Sequence, residues 1–115
     1  MSSNVIGSFY FRKTFNGNLL GEFSNIHLGK IITESANIIT ISEGFVGTYE
    51  STWYEHKEAN ALKLSIDYKD DSNNQILELK WSDGTSIIYW GEGFVNDNVL
   101  LGHYRNFEHK IEKSK

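Results

Sequence analysis

"LKLSIDYKDDSNNQILELKWS", residues 62 to 82, reads as two short alternating segments around a polar break. In the first, Leu62, Leu64, Ile66 and Tyr68 share one face and Lys63, Ser65 and Asp67 the other; in the second, Leu77, Leu79 and Trp81 alternate with polar neighbours. A period of two is that of a β-strand with one face buried and one wet. The break "DDSNN" is turn chemistry, because Asp and Asn side chains bond nearby backbone and tolerate left-handed conformations.

The same pattern runs through the chain. From "VIGSFYFRKT" (5 to 14) onward, segments rich in β-branched and aromatic residues are separated by "FNGN", "HLG", "SEG", "HKEAN", "DDSNN", "SDGT" and "VNDN". Seven breaks imply eight strands. No long window shows a helical period; in the best candidate, "YEHKEANALKL", polar and apolar residues fall in consecutive blocks. Short strands joined by hairpins predict an all-β fold, a single up-and-down antiparallel eight-stranded β-barrel, because closure removes exposed strand edges. A seven- or eight-strand sandwich is the alternative. The absence of proline suits a meander that needs nearly every backbone N–H for its ladders. At 115 residues the chain is expected to be one domain, 1–115, ending in a short charged tail at about 108–115.

Composition removes several functions. With 11 basic and 15 acidic residues the net charge is −4, and no basic run occurs outside the tail, so neither nucleic acid nor an anionic membrane is expected as partner. No cysteine means no disulfide, thiolate metal site or cysteine nucleophile. His27, His56, His103 and His109 lack a spacing that suggests a metal site. The opening "MSSNVIGSFYF" is not a leader and no segment has eighteen apolar residues, so a soluble chain is expected, cytoplasmic or secreted after loss of a leader. Catalysis needs a nucleophile with a base, or two carboxylates in different environments. Glu43, Glu50, Glu78 and Glu92 read as outward or turn positions and Asp70, Asp71 and Asp83 as loop residues, so no enzyme is expected.

A barrel of about eight strands encloses side chains or one small ligand, so its inward polar residues carry the functional question. In "GFVGTYESTW" (44 to 53), alternation puts Gly47, Tyr49, Ser51 and Trp53 on one face, and Thr48, Glu50 and Thr52 on the other. With Trp90 and Ile88 turned inward, Ile87 and Tyr89 face out and join Tyr10, Val99 and Leu101 in an exposed apolar band. Such a band marks an interface, which predicts a homodimer or homotetramer.

"GEFSNIHLGKIITESANIITISEGFVGTYES" (21 to 51), "LELKWSDGTSIIYWGEGFV" (77 to 95) and "NVLLGHYRN" (98 to 106) resemble, in order and approximate spacing, strands of the avidin and streptavidin family of biotin-binding barrels. The resemblance covers about 85 residues, 21 to 105. "VIGSFYFRKT" resembles that family's final strand in pattern, which implies a circular permutation in which residues 5 to 14 pair with both 19 to 25 and 97 to 105. The resemblance implies an avidin- or calycin-like, non-enzymatic small-molecule binder with no cofactor and with biotin or a biotin-like heterocycle as ligand. It implies that Asn25 and Tyr49 donate to a ureido oxygen, that Ser51 accepts from a ring N–H, that Trp81, Trp90 and Tyr104 form walls, and that Ser86 meets the far end of the ligand. Three positions depart from the family. Lys30 stands where a small hydroxyl follows the Leu-Gly turn, Ile88 replaces a second far-end hydroxyl, and Phe9 falls near a buried aspartate. Each lost buried partner costs about 1–3 kcal/mol, so weak biotin binding is the expectation. The competing reading is a barrel with a filled interior acting through its surface as a protein-interaction or inhibitor module; a lipocalin-like or fatty-acid-binding barrel would normally need a longer chain or a helical lid. A binder is expected to keep a cavity of roughly 300 Å³ or more.

Overall fold

The computed structural model describes residues 5–70 and 73–107, the side chains of Ile41 and Ser42 excepted; the charged tail, His109 and Asp71 lie outside them. Eight strands follow one another: β1 (Ile6–Lys13), β2 (Leu19–Asn25), β3 (Ile32–Glu43), β4 (Val46–Glu55), β5 (Glu58–Tyr68), β6 (Leu77–Ser82), β7 (Ile87–Asn96) and β8 (Val99–Asn106). They pair antiparallel in chain order and close into a barrel, with β1 bonded to both β2 and β8. That is the pairing expected of residues 5 to 14, although any closed meander joins its first strand to its last.

Every connection falls on a polar break read from the sequence. "HKEAN" marks too wide a turn, since Glu55 already pairs with Glu58 and only His56 and Lys57 lie outside the ladder. Both have positive φ, 54° and 64°. A two-residue hairpin needs this left-handed backbone to match the strand twist, and Asn or Gly normally supplies it. Asp97 and Asn98 turn β7 into β8 the same way. Register shifts interrupt β3–β4 between Ile38 and Thr40 and between Ile41 and Glu43, and β6–β7 at Trp81/Ser82. Such bulges bend and twist strands, as a tightly closed sheet requires.

The alternation read in β4, β5 and β6 holds. Tyr49, Ser51, Leu64, Ile66, Leu77, Leu79 and Trp81 are all buried. In β7 the phase is the opposite of the expected one. Trp81 pairs with Tyr89, which packs edge-on against Tyr104 at 5.8 Å, so Tyr89 points inward and not into an outer band. Trp90 points out: its Nε1 donates to Glu78 at 2.8 Å and the Arg105 guanidinium lies 4.9 Å from its ring centre. The inward positions that follow Tyr89 are Gly91 and Gly93, both buried. A Cβ on Gly91 would sit 2.7 Å from the His103 carbonyl oxygen and 3.3 Å from the Trp81 ring. Glycine admits that carbonyl and the Trp81 ring, and in doing so it removes the apolar alternation by which β7 could have been phased. Of the expected outer band, Tyr10 and Leu101 are cross-strand partners, and Phe94 extends the row from β7.

The two ends of the barrel differ. One carries the 26–31 loop, the His56–Lys57 turn, the 83–86 turn and Val5, whose N–H donates to Asn106 Oδ1 at 2.9 Å. Toward the other end Phe11, Leu19, Tyr49, Ile66, Leu79 and Leu100 are fully buried.

Candidate functional site

Strand β3 enters the barrel as "ITESANI". Its inward set is Ile32, Glu34, Ala36 and Ile38, so strict alternation carries a carboxylate into an apolar interior. Glu34 is only 4% exposed. Its Oε2 accepts hydrogen bonds from Ser51 Oγ, reached from β4, and from Trp81 Nε1 of β6 at 2.8 Å. Its Oε1 has no protein partner among the described residues. Burial pushes the carboxyl up to about 7, with the Ser51 and Trp81 donors opposing the shift. Desolvation thus exceeds hydrogen bonding as the governing effect.

Above Glu34 lies a cavity of about 120 Å³ that opens at the end bearing the chain entry. Its walls are aromatic: Phe9, Phe23, Trp53, Trp81, Tyr89 and Tyr104 all line it. Phe23 stands edge-on to both Trp53 and Tyr104, at 86° and 85° between ring planes and 6.0 Å between centres. Edge-to-face contacts of this kind lock the rings, because each positive edge meets a negative face. Asn25 closes the wall on β2; its Nδ2 donates to the Tyr104 hydroxyl at 2.9 Å and its Oδ1 accepts from the His27 N–H at 2.9 Å. Tyr104 therefore keeps its own proton for another acceptor. Burial raises that phenol to about 12, assisted by Tyr89, Glu34 and Glu55 and opposed by Asn25, so it remains a donor at neutral pH. Glu55 sits at the mouth with His27 and His56. It accepts from Trp53 Nε1 at 3.0 Å and lies 3.2 Å from His56 Nε2.

The residues expected in a site divide into four groups. Asn25, Trp81 and Tyr104 line the cavity. Ser51 lies behind Glu34, fully buried, as the prop of that carboxylate. Tyr49 belongs to the opposite half: its hydroxyl donates to the Phe45 carbonyl at 2.8 Å, and burial raises the phenol to about 12. Trp90, on the outer face, and Ser86, in the 83–86 turn with its N–H on Asp83 Oδ1 at 2.9 Å, do not line the cavity. Lys30 is exposed, while Phe9 is a cavity wall. Glu34, Glu55, Tyr89 and the two mouth histidines escaped sequence reasoning. Only Glu34 left a signal, as the single ionisable residue on the apolar face of "ITESANI".

Among the described residues no three His, Asp or Glu side chains converge where a metal ion could sit. Nor is any helix of the described residues long and apolar enough to cross a membrane, which says nothing of strands. Comparison with known proteins finds no matching family profile, no matching curated protein and no matching solved structure.

Proposed function

We propose that this chain is a non-enzymatic small-molecule binding barrel of avidin-like type, which holds a flat cyclic urea, amide or similar heterocycle, a biotin-like ring among them, above Glu34. The observation that carries the reading is a buried carboxylate with one uncommitted oxygen at the floor of an aromatic cavity. A few fixed polar groups in an apolar cleft orient a ligand while ring contacts supply the burial. In this reading Glu34 Oε1 accepts the ring N–H that the family resemblance assigned to Ser51, Tyr104 and Asn25 serve a carbonyl, and Tyr49 has no part. The volume favours a small ligand. About 120 Å³ falls short of the roughly 300 Å³ or more expected of a binder, and is near the about 150 Å³ of a cavity that encloses benzene. The ring of biotin suits it better than biotin with its side chain.

Calorimetric and tryptophan-fluorescence titration with 2-imidazolidinone and with biotin tests this. Saturable binding of the ring compound, lost in Trp81→Phe, is the expected result. No heat and no spectral change with either compound favours the second reading, a filled barrel acting through its surface, to which the packed half around Tyr49 lends support. Self-association belongs to the proposal as well. Phe94, Leu101 and Tyr10 form a contiguous outer row across three strands, suited to an isologous contact. Light scattering that returns only the 13.2 kDa monomer at micromolar concentration counts against it.

A further inference from the structure

The charge of the ligand can be argued further, on the footing that the cavity above Glu34 is a ligand site. Among the described residues no lysine or arginine lines it, and its basic groups there are His27 and His56 at the mouth. Two acids face it instead, Glu34 at the floor and Glu55 at the rim. Its remaining titratable neighbours among the described residues are Tyr89 and Tyr104, phenols that burial keeps neutral. Oε2 of Glu34 is occupied by Ser51 and Trp81, which hold the carboxylate in one orientation. Oε1 is left to a ligand. A buried carboxylate with an unmatched lone pair is costly, and the partner that offsets most of that cost brings both an N–H and a positive charge. Six aromatic side chains surround the space in which that group would lie, and aromatic rings attract cations through their quadrupoles.

From this arrangement we infer that the physiological ligand is a small planar organic cation, of the amidinium or guanidinium class, donating an N–H to Glu34 Oε1 between the rings of Trp53, Trp81 and Tyr104. A flat cation of about four to six heavy atoms matches a cavity of 120 Å³. Glu55 then acts at the rim, drawing the cation toward the mouth, and the mouth histidines weaken that attraction when protonated.

The test compares isosteres that differ in charge. Acetamidinium and methylguanidinium are titrated into the intact protein beside acetamide and methylurea, reading the NMR shift of the Trp81 indole N–H, which contacts Glu34 directly. The expected result is that each cation binds at least about tenfold more tightly than its neutral isostere, a difference of about one power of ten in affinity. Glu34→Gln abolishes the difference, and Glu55→Gln reduces it about two- to threefold. Cation affinity also falls about tenfold for each pH unit below 7, because only the ionised fraction of Glu34 is competent. Equal or tighter binding of the neutral compounds overturns the inference and leaves the ligand-site reading intact. Failure of all four compounds to move the Trp81 signal overturns the inference, and failure of 2-imidazolidinone and biotin as well overturns the ligand-site reading with it. Should Glu34→Gln not fold, the wild-type comparison and Glu55→Gln still decide.

Discussion

The two halves of this barrel are built from the same strands and differ in what they enclose. Toward the end bearing Phe45, the interior is Phe11, Leu19, Tyr49, Ile66, Leu79 and Leu100, fully buried, with the one phenol satisfied by a backbone carbonyl. Toward the open end it is a ring of aromatics around a cavity, with a carboxylate that keeps one oxygen unmatched among the described residues. One half is arranged for stability, and the other tolerates a space and a buried acid. A closed ladder lets them coexist, because the backbone hydrogen bonds of every strand are made whatever fills the inside.

If this division is right, damage to the packed half is the most costly. Phe11→Ala is expected to destabilise by about 3–5 kcal/mol, since the cavity it leaves cannot collapse inside a closed barrel. Urea unfolding measures it, and a loss under about 1 kcal/mol would mean the packed half is not the stable one.

The acid of the open half predicts a pH dependence. Burial raises the folded-state carboxyl of Glu34 from 4.5 to about 7, so between these values the folded chain holds a proton that the unfolded chain has lost. Stability from this group is fully present below about pH 4.5, declines as pH rises toward 7 and is then flat. The decline amounts to about 3 kcal/mol. Glu34→Gln removes it, and a wild-type stability that rises across this window with no contribution reversed by Glu34→Gln contradicts the assignment.

Tyr49→Phe separates the halves directly. It leaves the Phe45 carbonyl without its donor and is expected to cost about 1–3 kcal/mol of stability. The response of the Trp81 indole to ligand stays as in wild type; a changed ligand response would connect the halves. The smallest effect lies in the β4–β5 turn, where Lys57 holds a φ of 64°. Lys57→Gly relieves a left-handed conformation worth about 1 kcal/mol, visible as a raised thermal midpoint. A lowered midpoint would mean that the Lys57 side chain supports the mouth.

Much of this was open to reading and some of it was not. Alternation in "LKLSIDY" and "ILELKWS" is strong because both faces are populated by residues of opposite character, so strand, face and register follow from one observation. Strand β7 resisted because its inward positions are glycines, which bear no side chain to mark a face, and Trp90 drew the phase the wrong way. Tyr49 and Ser51 were correctly turned inward, yet their roles depend on depth along the barrel. Tyr49 reaches toward Phe45 and Ser51 toward Glu34, and a two-residue repeat carries no information on depth. Glu34 was visible on an apolar face but unremarkable among fifteen acidic residues.

The amino-acid order by itself determined that this chain forms eight antiparallel strands with one face inside, because local side-chain alternation and turn chemistry are properties of neighbours in sequence. Which inward residues meet was decided only by closure. Glu34, Ser51 and Trp81 come from three strands, and it is the stagger of those strands around the barrel that brings a carboxylate, a hydroxyl and an indole to one point and leaves one carboxylate oxygen without a hydrogen bond among the described residues.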